Sequence, residues 1–279
     1  DDDDIFQIEG EDNGIKLRLL GGQNHDQYQL NKNAKNINIY DYKTNNNSIS
    51  KSKANVTLTD DYEINQYQYT RPKYNIFNTE INLDYNPDDE IKIGLTSSLT
   101  INNFKQNPFS SKHVLTANYF TGSNGYEFSY KSVVPRLVGN WYYQLDARLT
   151  SSLFLRNFFG FGNLSSNQDD ILGKNYNRIK AEEFSIAPSI NWKKNAAEFN
   201  AQLKYEALKI DKTAHRFINL PNIVNEDVFE TKHFGGINLN FNYKNLNKNG
   251  HPTLGMLFDI ETSYKINLKD TNKQLPTLA

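Results

Sequence analysis

The side chains that most often carry enzyme chemistry are sparse and scattered in this sequence. The chain has 279 residues, with five histidines and no cysteine. No spacing typical of metal ligands links the histidines, which we expect to be exposed or in loops: His25, His113, His215, His233 and His251. No nucleophile elbow, phosphate-binding glycine loop or His-Glu-x-x-His motif occurs. The sequence therefore predicts no catalytic site in these residues, and neither a disulfide nor a thiolate metal site.

Acidic side chains recur within strand-like runs, at positions that alternate with apolar residues. They include Asp146, Glu198, Glu206, Asp259 and Glu261. Such carboxylates could form the acid and base pair of a glycosidase, but basic residues share the same runs. We therefore expect these acids to face water or to pair with Arg148, Lys204 and Lys265.

One short segment has a spacing typical of cation ligands. Residues 21–28, Gly-Gly-Gln-Asn-His-Asp-Gln-Tyr, are similar to the Gly-Gly-x-Gly-x-Asp repeat of calcium-binding β-rolls. Asn24 replaces a glycine but tolerates the left-handed conformation. The pattern occurs once, whereas stacked repeats build a full ion site. We expect a β-turn in which Asp26 caps its own loop; calcium bound by Asp26 is the alternative, and no other cofactor is expected.

The elements that must position these residues are β-strands, because apolar and polar residues alternate in segment after segment between residues 90 and 268. From Ala197 to Ala207 every second residue is apolar, and the residues between are Glu198, Asn200, Gln202, Lys204 and Glu206. A helix would spread these charges around its circumference, whereas a strand places them all on one face. The run matches the nine to eleven residues that a tilted strand needs to cross a bilayer.

About nine such strands are predicted between residues 77 and 268, and their connections alternate in length. Short connections are expected at about 135–140, 193–195 and 246–250, and long ones at about 151–180 and 209–232. Bacterial outer-membrane barrels have short periplasmic turns and long outer loops. If 77–85 is the first strand, the residues before it lie on the periplasmic side.

Aromatic residues near strand ends give a further prediction. Trp141 opens one strand and Trp192 closes the next, so an antiparallel pair places them at the same end. Tyrosine and tryptophan concentrate where lipid meets headgroups. We therefore predict that Trp141, Trp192, Tyr126 and Tyr264 belong to membrane girdles.

The chain divides by pattern into residues 1–72, a small polar β module, and residues 73–279, the long strands. No stretch has the 18 or so apolar residues of a membrane helix. Residues 1–4 are not a signal peptide and the last residues do not complete an amphipathic strand. We expect the sequence to be an internal piece of a longer protein.

Two segments resemble the bacterial surface-antigen family of outer-membrane barrels, relatives of the assembly factor BamA. Residues 85–94, Tyr-Asn-Pro-Asp-Asp-Glu-Ile-Lys-Ile-Gly, resemble the family's opening hairpin, although Glu90 stands where a glycine is usual. Residues 157–163, Asn-Phe-Phe-Gly-Phe-Gly-Asn, followed by Tyr-Asn-Arg at 176–178, resemble its Phe-Phe/Tyr-Gly-x-Gly-Asn signature. Gly160, Gly162 and Asn163 are the signature residues of this second segment.

The resemblance implies an all-β fold: about the first half of a 16-stranded antiparallel transmembrane β-barrel, preceded by the small β module. Members from Bacteroidetes often carry this barrel behind a calcineurin-like metallophosphoesterase. The metal-ligand motifs of that enzyme do not occur in these residues, so any phosphoesterase activity is expected outside them.

The predicted function is an outer-membrane barrel that anchors the protein, with passage or assembly of a substrate as a further role. The expected partners are outer-membrane lipid and other envelope proteins. The formal net charge of −1 gives no reason to expect nucleic acid. Two alternatives remain: the membrane anchor of a metallophosphoesterase polypeptide, and a soluble β-rich binding module.

Overall fold

The protein is almost entirely β-structure, as the alternation predicts. The computed structural model describes residues 2–10, 14–67, 69, 74–86, 90–161, 167–247, 252–270 and 274–278. Two compact units divide the chain: Asp1–Lys73 with Asn103–Pro108, and Tyr74–Asn102 with Phe109–Ala279. Among the described helices, none has the length and apolarity to cross a membrane.

The first unit contains six short strands that alternate between two parallel sheets. They are β1 Ile5–Ile8, β2 Leu17–Leu20, β3 Gln27–Leu30, β4 Ile37–Asp41, β5 Ser48–Ile49 and β6 Asn55–Leu58. The sheet orders are β1-β3-β5 and β2-β4-β6, all with parallel pairing. Each coil of two strands therefore stacks on the coil before it, which makes this unit a small parallel β-solenoid.

Apolar side chains between the two sheets hold the solenoid together. Tyr28, Ala34, Ile37 and Ile39 are buried. The ring of Phe6 on β1 stacks on that of Tyr28 on β3, with centroids 5.0 Å apart, because the two residues are register partners. Residues at equivalent positions of successive coils thus pack on one another, as stacked repeats require.

The second unit is one large sheet of eleven strands, antiparallel throughout its determined pairings. They are β7 Ile76–Asn86, β8 Glu90–Asn103, β9 Gln106–Phe120, β10 Gly125–Val138, β11 Trp141–Thr150, β12 Leu155–Asn157, β13 Arg178–Lys194, β14 Ala197–Asp211, β15 Lys232–Leu246, β16 Gly255–Asn267 and β17 Gln274–Leu278. The order runs from β17 to β7 in reverse chain order, with β12 beside β13. In the described part of the chain β7 and β17 are free edges.

The nine predicted strands all occur, and two short ones were missed. β12 has three residues and β17 has five, too few for the alternation to show. The prediction that Lys193 and Lys194 lie in a turn is wrong, because β13 extends through both. Asn195 forms the turn instead and has a φ of 54°, which asparagine tolerates better than lysine does.

The three shortest connections leave one end of the sheet, and the two longest leave the other. Two residues join β8 to β9, β10 to β11 and β13 to β14. At the other end, the connection from β11 to β13 contains β12 and the helix α1 Asp169–Leu172, and that from β14 to β15 contains the 3-10 helices Phe217–Asn219 and Glu226–Phe229. β7 begins at the end that carries the two-residue turns.

In the hairpin of β7 and β8, Glu90 stands at a position where the family that this segment resembles usually has glycine. Glu90, the first residue of β8, has a φ of 61°, in the left-handed region that favours glycine. The turn residues before it, 87–89, lie outside the described part of the chain. The backbone at this position therefore has the conformation that a glycine adopts most easily.

Candidate functional site

The two faces of the large sheet have opposite chemistry, and along β13 their burial is the reverse of that in a water-soluble protein. The central strand β13 shows this most clearly, because its buried and exposed residues alternate. The buried positions are small or polar: Glu183, Ser185, Ala187, Ser189 and Asn191. The exposed large side chains between them are Phe184, Ile186 and Ile190. Large apolar side chains that face outward in a row indicate a surface that contacts something other than water.

The strand register extends this exposed face across the sheet. One row of directly paired residues runs over five strands, through Trp141, Trp192, Phe199, Phe241 and Ile260. A second row pairs Leu203 of β14 with Ile237 of β15 and continues to Tyr264 of β16. We call this surface of β7–β16 the apolar face.

The four aromatic residues predicted for the girdles fall near the two ends of the strands. Trp141 and Trp192 are direct register partners at the end with the two-residue turns. Tyr126 is the second residue of β10, and Tyr264 lies three residues before the end of β16, so both are near the long-loop end. The four residues thus form two groups at different levels of the apolar face. Their contact with headgroups remains a prediction.

Two of the histidines lie within strands on the apolar face and are only partly exposed, which corrects the expectation that all would be exposed or in loops. His113 of β9 is bonded through Nδ1 to the hydroxyl of Tyr130 at 2.8 Å. His233 of β15 makes the same contact with Tyr205, also at 2.8 Å. Each ring thus has a hydrogen-bond partner within the sheet, as a polar group in an apolar setting requires.

The opposite surface, which we call the polar face, carries an ion-pair network near the long-loop end. Arg148 of β11 donates from Nε to Glu127 of β10 at 2.5 Å and from Nη1 to Glu183 of β13 at 2.8 Å. Arg156 of β12 also pairs with Glu183. The guanidinium of Arg148 lies 5.4 Å from the ring centre of Phe154. Two arginines and two carboxylates thus join four strands.

The sequence predicted the residue types on the polar face better than their partners. Glu206 pairs with Lys204 at 2.7 Å and with Lys265 at 2.9 Å, as expected. Arg148 bonds to Glu127 and Glu183, neither of which the sequence singled out. The amides of Asn240 and Asn242 donate to the two oxygens of Asp259 at 3.1 and 2.7 Å, and Glu198 pairs with Lys193.

Aromatic side chains connect the two long loops. The ring of Phe217, in the loop after β14, lies 6.0 Å from those of Phe158 and Tyr176 in the loop before β13. The amide of Phe217 donates to the carbonyl of Tyr176 at 2.9 Å. Gly160 has a φ of 99°, and a β-carbon there would lie 3.2 Å from the ring of Phe217. The other two signature residues, Gly162 and Asn163, lie outside the described part of the chain.

Asp26, the predicted cation or cap residue, is fully buried in the solenoid. Its Oδ1 accepts the amide hydrogen of Asp4 at 2.9 Å, and its own amide donates to Oδ1 of Asn47 at 3.0 Å. The prediction that Asp26 caps its own loop is wrong, because it bonds to equivalent positions of the neighbouring coils. A repeat of roughly 20 residues, seen in the register Ile5↔Gln27 and Gln27↔Ser48, is the sequence signal that could have shown this.

Burial changes the acid–base properties of the groups around Asp26. It raises the pKa of the Asp26 carboxyl, against the hydrogen bond from Asp4, and the negative charge of Asp41 raises it further. Burial and the hydrogen bond to Asp41 likewise raise the pKa of Tyr28. Among the described residues, no three His, Asp or Glu side chains gather in an arrangement that could hold a metal ion.

Comparisons with known proteins give a distant likeness in structure and no match in sequence. No protein-family model matches the chain, and neither does any curated protein. The chain is similar to the crystal structure of BamA from Haemophilus ducreyi lacking POTRA domains 1–3, with a TM-score of 0.43 and 14% sequence identity. The alignment covers 71% of this chain and 35% of that chain, so this chain spans about a third of the length of that protein.

Proposed function

We propose that the second unit is part of a bacterial outer-membrane β-barrel, whose apolar face contacts lipid and whose polar face contacts water. The observation that carries this proposal is the alternation along β13, with buried serine, asparagine and glutamate and exposed phenylalanine and isoleucine. In a water-soluble sheet the same alternation would bury the apolar side chains. Lipid is the surrounding in which this pattern is stable.

The dimensions of the strands support the same proposal. β11 has 10 residues, which makes it about 34 Å long at about 3.4 Å per residue. At a tilt of about 40° it would rise about 25 Å, the height of the apolar band in outer-membrane barrels. Trp141 begins this strand, which is where an aromatic girdle would lie.

Closure into a barrel follows from the hydrogen bonding that lipid cannot provide. β7 and β17 each present an unpaired edge in the described part of the chain. Unpaired N–H and C=O groups cost several kcal/mol each in hydrocarbon. We infer that further strands join these edges, and the resemblance to the surface-antigen family implies 16 strands in total.

The lengths of the connections support an orientation. The two-residue turns of bacterial barrels face the periplasm and the long loops face outward. β7 begins at the short-turn end, so the chain that precedes it enters from the periplasmic side. We propose that the solenoid is periplasmic and that the aromatic contact between the long loops lies at the outer surface.

The role we propose is membrane anchoring, with passage or assembly of a substrate along the polar face as a further role. Amides and ion pairs line that face, which suits contact with water or with a polar chain. An attached metallophosphoesterase remains a prediction of the family resemblance, and the complete gene would test it.

Extraction and gel mobility test the proposal directly. The intact protein should stay in the membrane pellet after a high-salt or carbonate wash and require detergent for release. Unheated, it should run at a different position from the heat-denatured chain. Release by the wash alone, as a monodisperse protein in plain buffer, would instead support a soluble β-rich binding module.

A further inference from the structure

Hydrogen bonds between successive coils of the solenoid repeat in one pattern. The first coil contains β1 and β2, the second β3 and β4, and the third β5 and β6. Asp4, Asp26 and Asn47 stand directly before the first strand of each coil, at positions that the strand register makes equivalent. The amide of Asp4 donates to Oδ1 of Asp26 at 2.9 Å, and the amide of Asp26 donates in turn to Oδ1 of Asn47 at 3.0 Å.

The backbone repeats the same step from coil to coil. The carbonyl of Asp4 accepts from the amide of Gln27 at 2.9 Å. The carbonyl of Asp26 accepts from the amide of Ser48, also at 2.9 Å. Each coil thus offers the coil before it one side-chain acceptor and one backbone donor, at a spacing of 21 or 22 residues along the chain.

The first coil presents the same two groups at an open edge. Within the described part of the chain, β1 pairs only with β3 and β2 only with β4. Asp4 is exposed, and its carboxylate accepts none of the hydrogen bonds between described residues. Because the carbonyl of Asp4 points toward β3, the next amide, that of Ile5, points the opposite way across the planar peptide. The acceptor of Asp4 and the donor of Ile5 therefore both face the open edge.

The apolar interior is covered over the second coil but not over the first. Tyr28 and Ile39 of the second coil are buried, at 1% and 0% exposure. Their register partners in the first coil, Phe6 and Leu19, are only partly buried. At the other end of the solenoid β5 has only two residues, and a very short strand is one way that proteins protect a sheet edge. β1 has four residues and lacks this protection.

We propose that a further coil of the same solenoid stacks on β1 and β2, formed by the residues that precede Asp1 in the complete protein. The coils follow one another in chain order, so a coil added before β1 is joined to it directly. It pairs with both open edges at once, through the connection that the solenoid already uses twice. It gives Asp4 an amide donor and Ile5 a carbonyl acceptor, and it places apolar side chains over Phe6 and Leu19.

A second copy of the chain is the competing occupant of this edge. Stacked end to end about a two-fold axis, it would pair the strands antiparallel, whereas every pairing in the solenoid is parallel. Stacked head to tail, it would offer β5, whose two residues match half of β1. A preceding coil matches both edges and continues the step at Asp4. The inference rests on the first unit alone and is independent of the proposed membrane role.

Hydrogen exchange resolved to single amides tests the proposal, with the complete protein and the chain that begins at Asp1 compared in the same detergent. The amides of Ile5 and Gln7 face the open edge. They should exchange at least about tenfold more slowly in the complete protein, because the added coil accepts their hydrogens. The amides of Phe6 and Ile8 face β3 and are the control within the same strand, since they should be protected in both proteins.

A pair of variants of the complete protein assigns the effect to the repeated step. Asp4→Ala removes the acceptor for the added coil and should speed exchange at Ile5 by about fivefold, the effect of one lost hydrogen bond. Asp2→Ala is the matched control, because Asp2 is also exposed and carries the same charge but lies outside the step. Exchange at Ile5 should be unchanged in that variant.

Three results would overturn the proposal. Equal exchange of Ile5 and Gln7 in the two proteins would show that nothing covers β1. A gene that encodes no residues for a coil ahead of Asp1 would remove the proposed occupant. Slow exchange in the chain that begins at Asp1, dependent on its concentration, would assign the edge to a second copy. Membrane extraction of the same samples reports separately on the proposed function.

Discussion

At the scale of single residues, the face on which a side chain lies decides what a substitution does. Leu203 and Lys204 are neighbours in the middle of β14 but lie on opposite faces of the sheet. Leu203 is 61% exposed and pairs with Ile237 on the apolar face. Lys204 pairs with Glu206 on the polar face, where Lys265 also holds Glu206. The two positions therefore form a matched test within one strand.

Leu203→Arg should impair insertion into lipid, at a cost of about 2 to 4 kcal/mol, because it places a charge at mid-bilayer. Lys204→Ala should be nearly silent, since a solvated ion pair is worth about 0 to 1 kcal/mol and Lys265 remains beside Glu206. Folding yield in lipid vesicles and urea titration measure both effects. Equal losses for the two variants would refute the assignment of the faces.

Residue-level prediction from sequence succeeded for faces and only in part for partners. Alternation is a local property, so the polar character of Glu206 and Lys265 could be inferred before their contact was known. Partners depend on register between strands that are distant in sequence, which is why the bond from Arg148 to Glu183 was missed. The prediction that Asp26 caps its own loop failed for the same reason, because Asp26 accepts a hydrogen bond from Asp4 in the neighbouring coil.

At the scale of elements, long alternating strands were predicted well and the solenoid was not. In long strands such as β14, the alternation of apolar and polar residues is visible in the sequence of the strand itself. The strands of the solenoid have two to five residues, and each finds its partner roughly 20 residues away. Alternation of apolar and polar residues cannot be recognised over so few residues. Only the repeat of roughly 20 residues could have indicated that these strands stack in parallel.

The opening hairpin gives an element-scale prediction. Glu90→Gly should stabilise the protein by up to about 1 kcal/mol. A non-glycine residue in the left-handed region costs about 1 to 2 kcal/mol, and glycine removes this cost. Part of the gain is offset because glycine loses more conformational entropy on folding than glutamate does. Urea unfolding in lipid or detergent measures the change.

Glu80→Gly is the control for that substitution, because Glu80 lies in β7 without a positive φ and pairs with Thr96. It should lower the free energy of unfolding by about 0.5 to 1 kcal/mol, the usual cost of a glycine within a strand. Destabilisation by both variants would show that the conformation of Glu90 does not carry the cost assigned to it.

At the scale of the whole molecule, the proposed function depends on what surrounds the large sheet. Its apolar face exposes leucine, isoleucine, phenylalanine and tryptophan in register, while serine, asparagine and glutamate are buried on the central strand. The sequence could predict this two-sided sheet because each strand repeats the same alternation. It could not give the number of strands that close the barrel, since closure depends on pairing at the edges β7 and β17.

Spin-label accessibility along β14 shows whether the apolar face contacts lipid. The chain contains no cysteine, so single cysteines introduced one at a time from Phe199 to Glu206 can be labelled without background. In lipid vesicles, labels at 199, 201, 203 and 205 should collide mainly with oxygen, which concentrates in the hydrocarbon. Labels at 200, 202, 204 and 206 should collide mainly with a water-soluble nickel complex. Loss of this alternation, or odd-numbered positions shielded from oxygen by packing inside the protein, would contradict the account.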